Sequence, residues 1–112
     1  MNILLDHCVP RPLKRELFDL GTIKHTSEIA WGGLANGELL REAEKEFDVF
    51  LTVDKGQRFQ QNLSSFDLGF VVVRVFRNSL PEIAKFLPEV RQAIAGVQAG
   101  QIIVIGEPLL LS

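Results

Sequence analysis

Cysteine is nearly absent. Cys8 is the single one in 112 residues, so no disulfide can staple the chain to itself, and a cysteine zinc site lacks its ligands. A reducing cytosol is the simplest setting for such a sequence, which gives a cytoplasmic expectation. Charge of one sign is missing too: 12 Lys and Arg stand against 14 Asp and Glu, a net of −2. The chain is no polycation, so any contact with nucleic acid has to come from a local patch. Long apolar runs are also lacking. The stretches near 70–76 and 102–111 are broken by Arg74 and by Gly106-Glu107-Pro108. Neither reaches the roughly 18 residues of a membrane span, so no membrane contact is expected. The opening MNILLDHCVP meets Asp6 after three apolar residues, unlike a secretory leader.

What is there is an ordinary globular mixture. The 46% hydrophobic and 23% charged content excludes disordered and fibrous classes. The length suits one domain over residues 1–112, with no repeat or linker.

The periodicity alternates between strand and helix. Ile3-Leu4-Leu5 is a short, wholly apolar strand, as in the middle of a parallel sheet. Pro10 and Pro12 suit a helix start, Leu13, Leu17 and Leu20 follow at helical spacing, and Gly21 stops them. Residues 22–26 make a weak strand. After the loop AWGGLA at 30–35, Asn36 is a candidate N-cap, and Leu39, Leu40, Ala43 and Phe47 form one apolar face. Val49 to Val53 is a buried strand ending at Asp54. Residues 55–67 are polar, with a helical turn around 57–63. Gly69 to Phe76 is the strongest strand. Ser79 with Glu82 forms an S-x-x-E capping box that opens a long helix, which Pro88 should kink or restart near Leu87. Gly100 precedes the last strand, Ile102 to Ile105. Strands separated by helices predict a three-layer α/β/α sandwich with a mainly parallel central sheet.

In such a sheet, functional residues gather at the carboxyl ends of the strands. Asp6 ends ILLD and Asp54 ends VFLTVD. Two neighbouring carboxylates repel unless a cation or a shared proton offsets them. A hard divalent ion, Mg²⁺ or Mn²⁺, is the natural solution. Glu38, in the first turn of the next helix, is a third candidate; complementing the helix dipole is its plainer role. Asp6, Glu38 and Asp54 as metal ligands and catalytic acids would suit metal-assisted phosphodiester hydrolysis.

Other residues are weighed against plainer readings. Thr52 and Asn62 can position water or phosphate, but such residues are more often simple hydrogen-bonding groups. Lys55, Arg58, Arg74 and Arg77 are expected to rim the same cleft, whereas most surface cations are only solvated. Arg74 interrupts VVVRVF and, if buried, needs an anion, either a site carboxylate or a phosphate. Arg11, Lys14 and Arg15 fall on the first helix, near Asp6. His7 can touch the site as a proton shuttle or weak ligand, but alternation turns it to the other side of the turn, as a structural residue. His25 also reads as structural, and Cys8 as a packed thiol rather than a nucleophile. Trp31 covers the core edge more readily than it stacks a base.

The string ILLDHCVPRPLKREL, then G-x-x-N-G-E-L-L-R-E-A, FLTVDKGQRFQQNL and VVVRV resembles the small PIN-like proteins of the DUF5615 type, relatives of the toxin nucleases of toxin–antitoxin modules. The resemblance covers residues 2–76. It implies a PIN-like α/β/α sandwich, a Mg²⁺ or Mn²⁺ site, ribonuclease activity on RNA and a cognate antitoxin protein as partner. By that resemblance Asp6, Glu38 and Asp54 match the family's acids. His7, Asn36 and Gly56 stand where many members carry further acids, which leaves three carboxylates.

Two alternatives stay open. A degenerate, non-catalytic PIN-like module would bind a protein partner, and its C-terminal helix, with Leu80, Ile83, Ala84, Leu87, Val90 and Ile94, would serve a homodimer as readily as the core. A phosphoacceptor receiver-like domain shares the acids, but QIIVIGEP offers no lysine after the last strand. A Rossmann dinucleotide site is excluded, since no G-x-G-x-x-G follows the first strand.

Overall fold

The computed structural model describes residues 1–29, 36–54 and 63–107, without the side chains of Asn36 and Asp54. Five parallel strands form one sheet: β1 (Asn2–Leu5), β2 (Thr22–His25), β3 (Val49–Asp54), β4 (Gly69–Arg74) and β5 (Ile102–Gly106), in the order β2-β1-β3-β4-β5. The central strands are apolar on both faces because both faces are covered.

Strand alternation sorts the core into two layers. Ile3, Leu5, Val49, Leu51, Val53, Val71 and Val73 pack on one face. That face is covered by Leu13 and Leu17 and by Ile83, Val90 and Ile94. Leu4, Phe50 and Phe70 pack on the other, under Leu39, Leu40, Ala43 and Phe47 of α1 (Asn36–Glu46). Helices on both faces of a parallel sheet make the expected three-layer α/β/α sandwich. Among the described residues no helix is long and apolar enough to cross a membrane.

Two boundaries differ from expectation, and a third, the restart at Leu87, meets it. The helix expected after Pro10 is two 3-10 segments, Arg11–Glu16 and Phe18–Leu20. Their amides bond three residues back: Leu13 to Pro10 O, Leu17 to Lys14 O and Leu20 to Leu17 O. Pro10 and Pro12 withhold two early donors from so short a piece, and the turns tighten. β4 stops at Arg74 because its partners stop there: Asp54 and Gly106 are its last neighbours. Phe76 beyond it is 62% exposed. The long helix is two, α2 (Leu80–Ala84) and α3 (Leu87–Gly96), with Phe86 before the Leu87-Pro88 restart. Ser79 caps α2 by accepting a bond from the Glu82 amide at 3.4 Å, while the Glu82 carboxylate meets Lys85 at 3.1 Å. Ile83, Val90 and Ile94 are fully buried in the core, Leu80 and Leu87 are half-buried, and Ala84 is exposed.

Candidate active site

The strand order reverses direction between β1 and β3. β1 connects outward to β2 on one side, and everything after β3 builds on the other. At such a switch point the connecting chains diverge and leave a crevice above the carboxyl ends. Asp6 follows β1 at that point. Its amide still bonds the carbonyl of Leu51, at 2.9 Å, so Asp6 sits beside Thr52 on β3.

The Asp6 carboxylate is held from several directions. Thr52, itself 2% exposed, donates its hydroxyl to Oδ2 at 2.7 Å. The His7 amide donates to Oδ1 at 2.8 Å, and His7 Nδ1 lies 3.0 Å from the same oxygen. Cys8 Sγ lies 3.6 Å from Oδ2 and 3.5 Å from Thr52 Oγ1. The turn beneath is fixed by the Val9 amide on Asp6 O, at 2.9 Å, and by Asn78 Nδ2 donating to Cys8 O at 2.5 Å. Asp6 keeps 19% of its side-chain surface, so it is oriented by the fold yet open to solvent.

One expectation is corrected in this turn. His7 does not face away: its ring reaches the Asp6 carboxylate although 77% of the side chain is exposed. Alternation fails because Asp6 already lies past the end of β1, where a turn replaces extended backbone. Thr52 is a hydrogen-bonding residue, as its plainer reading has it, and its partner is Asp6. Asn78 was not singled out at all. A polar residue between the strand at 69–74 and the Ser79 cap was its only sequence signal.

Cys8 behaves as expected. Burial pushes its thiol above the ordinary cysteine range and the negative charge of Asp6 adds to this, while the hydrogen bond with Thr52 opposes it. A thiol so held is a poor nucleophile at neutral pH. His25 is structural as well. Nε2 bonds Val9 O at 2.8 Å, and Nδ1 accepts from the Ser27 amide at 3.1 Å.

Asp54 is the last residue of β3 and pairs with Arg74. It stands two positions beyond Thr52, which puts its backbone roughly 8 Å from that of Asp6 by strand rise and spacing. Glu38 lies in the first turn of α1 and is exposed. Because α1 leads from β2 into β3, that first turn lies at the carboxyl end of the sheet. α1 covers the face that carries Leu4 and Phe50. Arg74 is half-buried at the end of β4. Lys55, Arg58, Asn62, Gly56, Trp31 and the AWGGLA loop lie outside the described residues, as do the side chains of Asp54 and the expected cap Asn36.

The donor chemistry suits a hard divalent cation. Asp6 offers carboxylate oxygens, with about four lone-pair positions, of which Thr52 and His7 engage three. The fourth, on Oδ2, faces the Cys8 thiol at 3.6 Å, a weak donor. Oxygen ligands of this kind favour Mg²⁺ or Mn²⁺ over zinc.

Comparison with protein-family models, with curated proteins and with solved structures finds no match to this chain.

Proposed function

We propose that this protein is a Mg²⁺- or Mn²⁺-dependent ribonuclease of PIN-like type, acting in the cytoplasm as the toxin of a toxin–antitoxin pair. The observation that carries the reading is the Asp6 carboxylate. It is oriented by Thr52 and His7 at the switch point of a parallel sheet, one strand away from the acid that ends β3. A carboxylate so restrained, yet open to solvent, is pre-organised for a ligand rather than for packing.

Asp6, Asp54 and Glu38 would hold the metal. Bound there, such an ion supplies charge neutralisation at a phosphate and an acidified water. The chain's own contributions are orientation and charge. Thr52 fixes the rotamer of Asp6, and His7 stands at the solvent side of that carboxylate, where an imidazole can carry a proton. Arg74 would attract the phosphate backbone from the end of β4, with Lys55, Arg58 and Asn62, which follow β3 in the sequence, as further contacts. A cognate antitoxin and a homodimer contact remain the protein partners of this reading.

The test is cleavage of a mixed RNA substrate with Mn²⁺ or Mg²⁺, with and without EDTA, by wild type and Asp54→Asn. Metal-dependent cutting that falls at least about a hundred-fold in the variant supports the assignment. Cutting that survives Asp54→Asn refutes this site. A wild type that cuts nothing moves the reading to the non-catalytic binding module.

A further inference from the structure

The first 3-10 helix presents a second feature, on the opposite face of the sheet from α1. Arg11, Pro12, Lys14, Arg15 and Phe18 line a surface groove of about 430 Å³. Leu13 and Leu17 of the same segment are buried at 1% and 0% and anchor it to the core. Phe18 is 72% exposed, which is costly for a phenyl ring. An aromatic ring left in water beside cations is the arrangement used to stack a base while guanidinium groups take the flanking phosphates.

The charges around the groove are unevenly spent. Lys14 is bound to Glu28 at 2.8 Å. Asp19 is bound to Arg91 at 2.5 Å, and the charge of Glu16 also acts on Arg91. Arg11 and Arg15 have no ion-pair partner among the described residues. Two acids of the neighbourhood are therefore neutralised, while two guanidinium groups of the same groove have no acidic partner among the described residues. The groove is also rigid. His25 bonds Val9 O just before it, and the Lys14–Glu28 pair ties it to the segment after β2. Rigid placement lowers the ordering cost of binding.

We infer that this groove binds a single-stranded RNA segment, with Phe18 stacking one base and Arg11 and Arg15 contacting adjacent phosphates. The inference rests on the ribonuclease reading for its choice of polyanion and adds the surface that would hold the substrate. Arg11 lies five residues after Asp6, across a turn closed by the Val9 amide. The groove therefore begins beside the carboxyl edge of the sheet and runs away from it. A strand lying in it would reach the Asp6 crevice by crossing that edge.

The experiment is fluorescence anisotropy of a short labelled single-stranded RNA, in EDTA so that nothing is cut, at several salt concentrations. All substituted positions are on the surface, and circular dichroism confirms folding. Phe18→Ala should weaken binding about five-fold or more, with Phe18→Trp restoring it. Arg11→Ala/Arg15→Ala should weaken binding and reduce the salt slope by about 1.4, two phosphate contacts at roughly 0.7 each. Wild-type binding that none of these variants changes overturns the groove, as does a wild type that binds no RNA. Displacement of the RNA by a polyglutamate peptide of equal affinity also overturns it, in favour of an acidic protein partner. The two readings separate cleanly. Phe18-dependent binding without metal-dependent cutting keeps the groove and removes the nuclease, and Asp54-dependent cutting with unchanged Phe18→Ala binding does the reverse.

Discussion

At the scale of single residues, backbone freedom matters at Gly21. It has φ +152°, and a Cβ there would collide with the carbonyl of Met1. The same carbonyl accepts the Thr22 amide at 2.9 Å, so neither partner can withdraw without opening the start of β1 and β2. Gly21→Ala should therefore lose about 2 kcal/mol or more of unfolding free energy, from strained backbone and displaced pairing. Urea unfolding measures it, and an unchanged midpoint would show that the turn relaxes freely. Gly21 does stop the 3-10 segment Phe18–Leu20, its amide bonding Phe18 O at 3.4 Å, as the sequence suggests. The close approach of the N-terminal residue is a further requirement, which no local pattern announces. The same limit hid the His7–Asp6 contact. Period-two alternation holds only while the strand lasts, and β1 ends one residue earlier.

At the scale of elements, the strands were legible and the helices were legible only in outline. Apolar runs such as Val71-Val72-Val73 leave little choice of secondary structure. The extent of a strand is another matter. Val75 is buried and Phe76 is as hydrophobic as its predecessors, yet pairing ends at Arg74 because β3 and β5 end there. The Ser79 cap was readable, and half of the expected box is present: its hydroxyl accepts from the Glu82 amide. Ser79→Ala should cost about 1 kcal/mol, with Ser79→Asp retaining most of the stability. Thermal unfolding of the two variants checks this. Equal losses in both would mean that the start of α2 is held by packing of Ile83 and not by the cap.

At the scale of the whole molecule, topology makes the candidate site. Asp6 and Asp54 are 48 positions apart and become neighbours only because β3 pairs with β1 while β2 takes the other side. The sequence marked each acid as a strand end; it could not show that Thr52 would reach across to Asp6. The same long-range closure governs the response to acid. Three surface carboxylates are held below their ordinary range. A hydrogen bond from Arg91 does this for Asp19, one from Lys14 for Glu28, and the Asp67 amide for Glu44. Each contact joins separate segments of the chain. A carboxyl whose folded pKa is depressed contributes stability that is fully present above its unfolded pKa, near 4, and is lost as pH falls through the folded value. Unfolding free energy should thus be level from neutral pH down to about 5, then decline. Asp19→Asn removes one of these contributions. The variant should be less stable than wild type at pH 7, and the difference should shrink and then vanish as pH falls through the depressed pKa of the wild-type carboxyl. High salt should also shrink the gap at pH 7, because the pair is exposed and screened. Urea unfolding at a series of pH values decides the matter. A constant difference between the two proteins through that fall in pH would mean that Asp19 acts through packing and not through its charge.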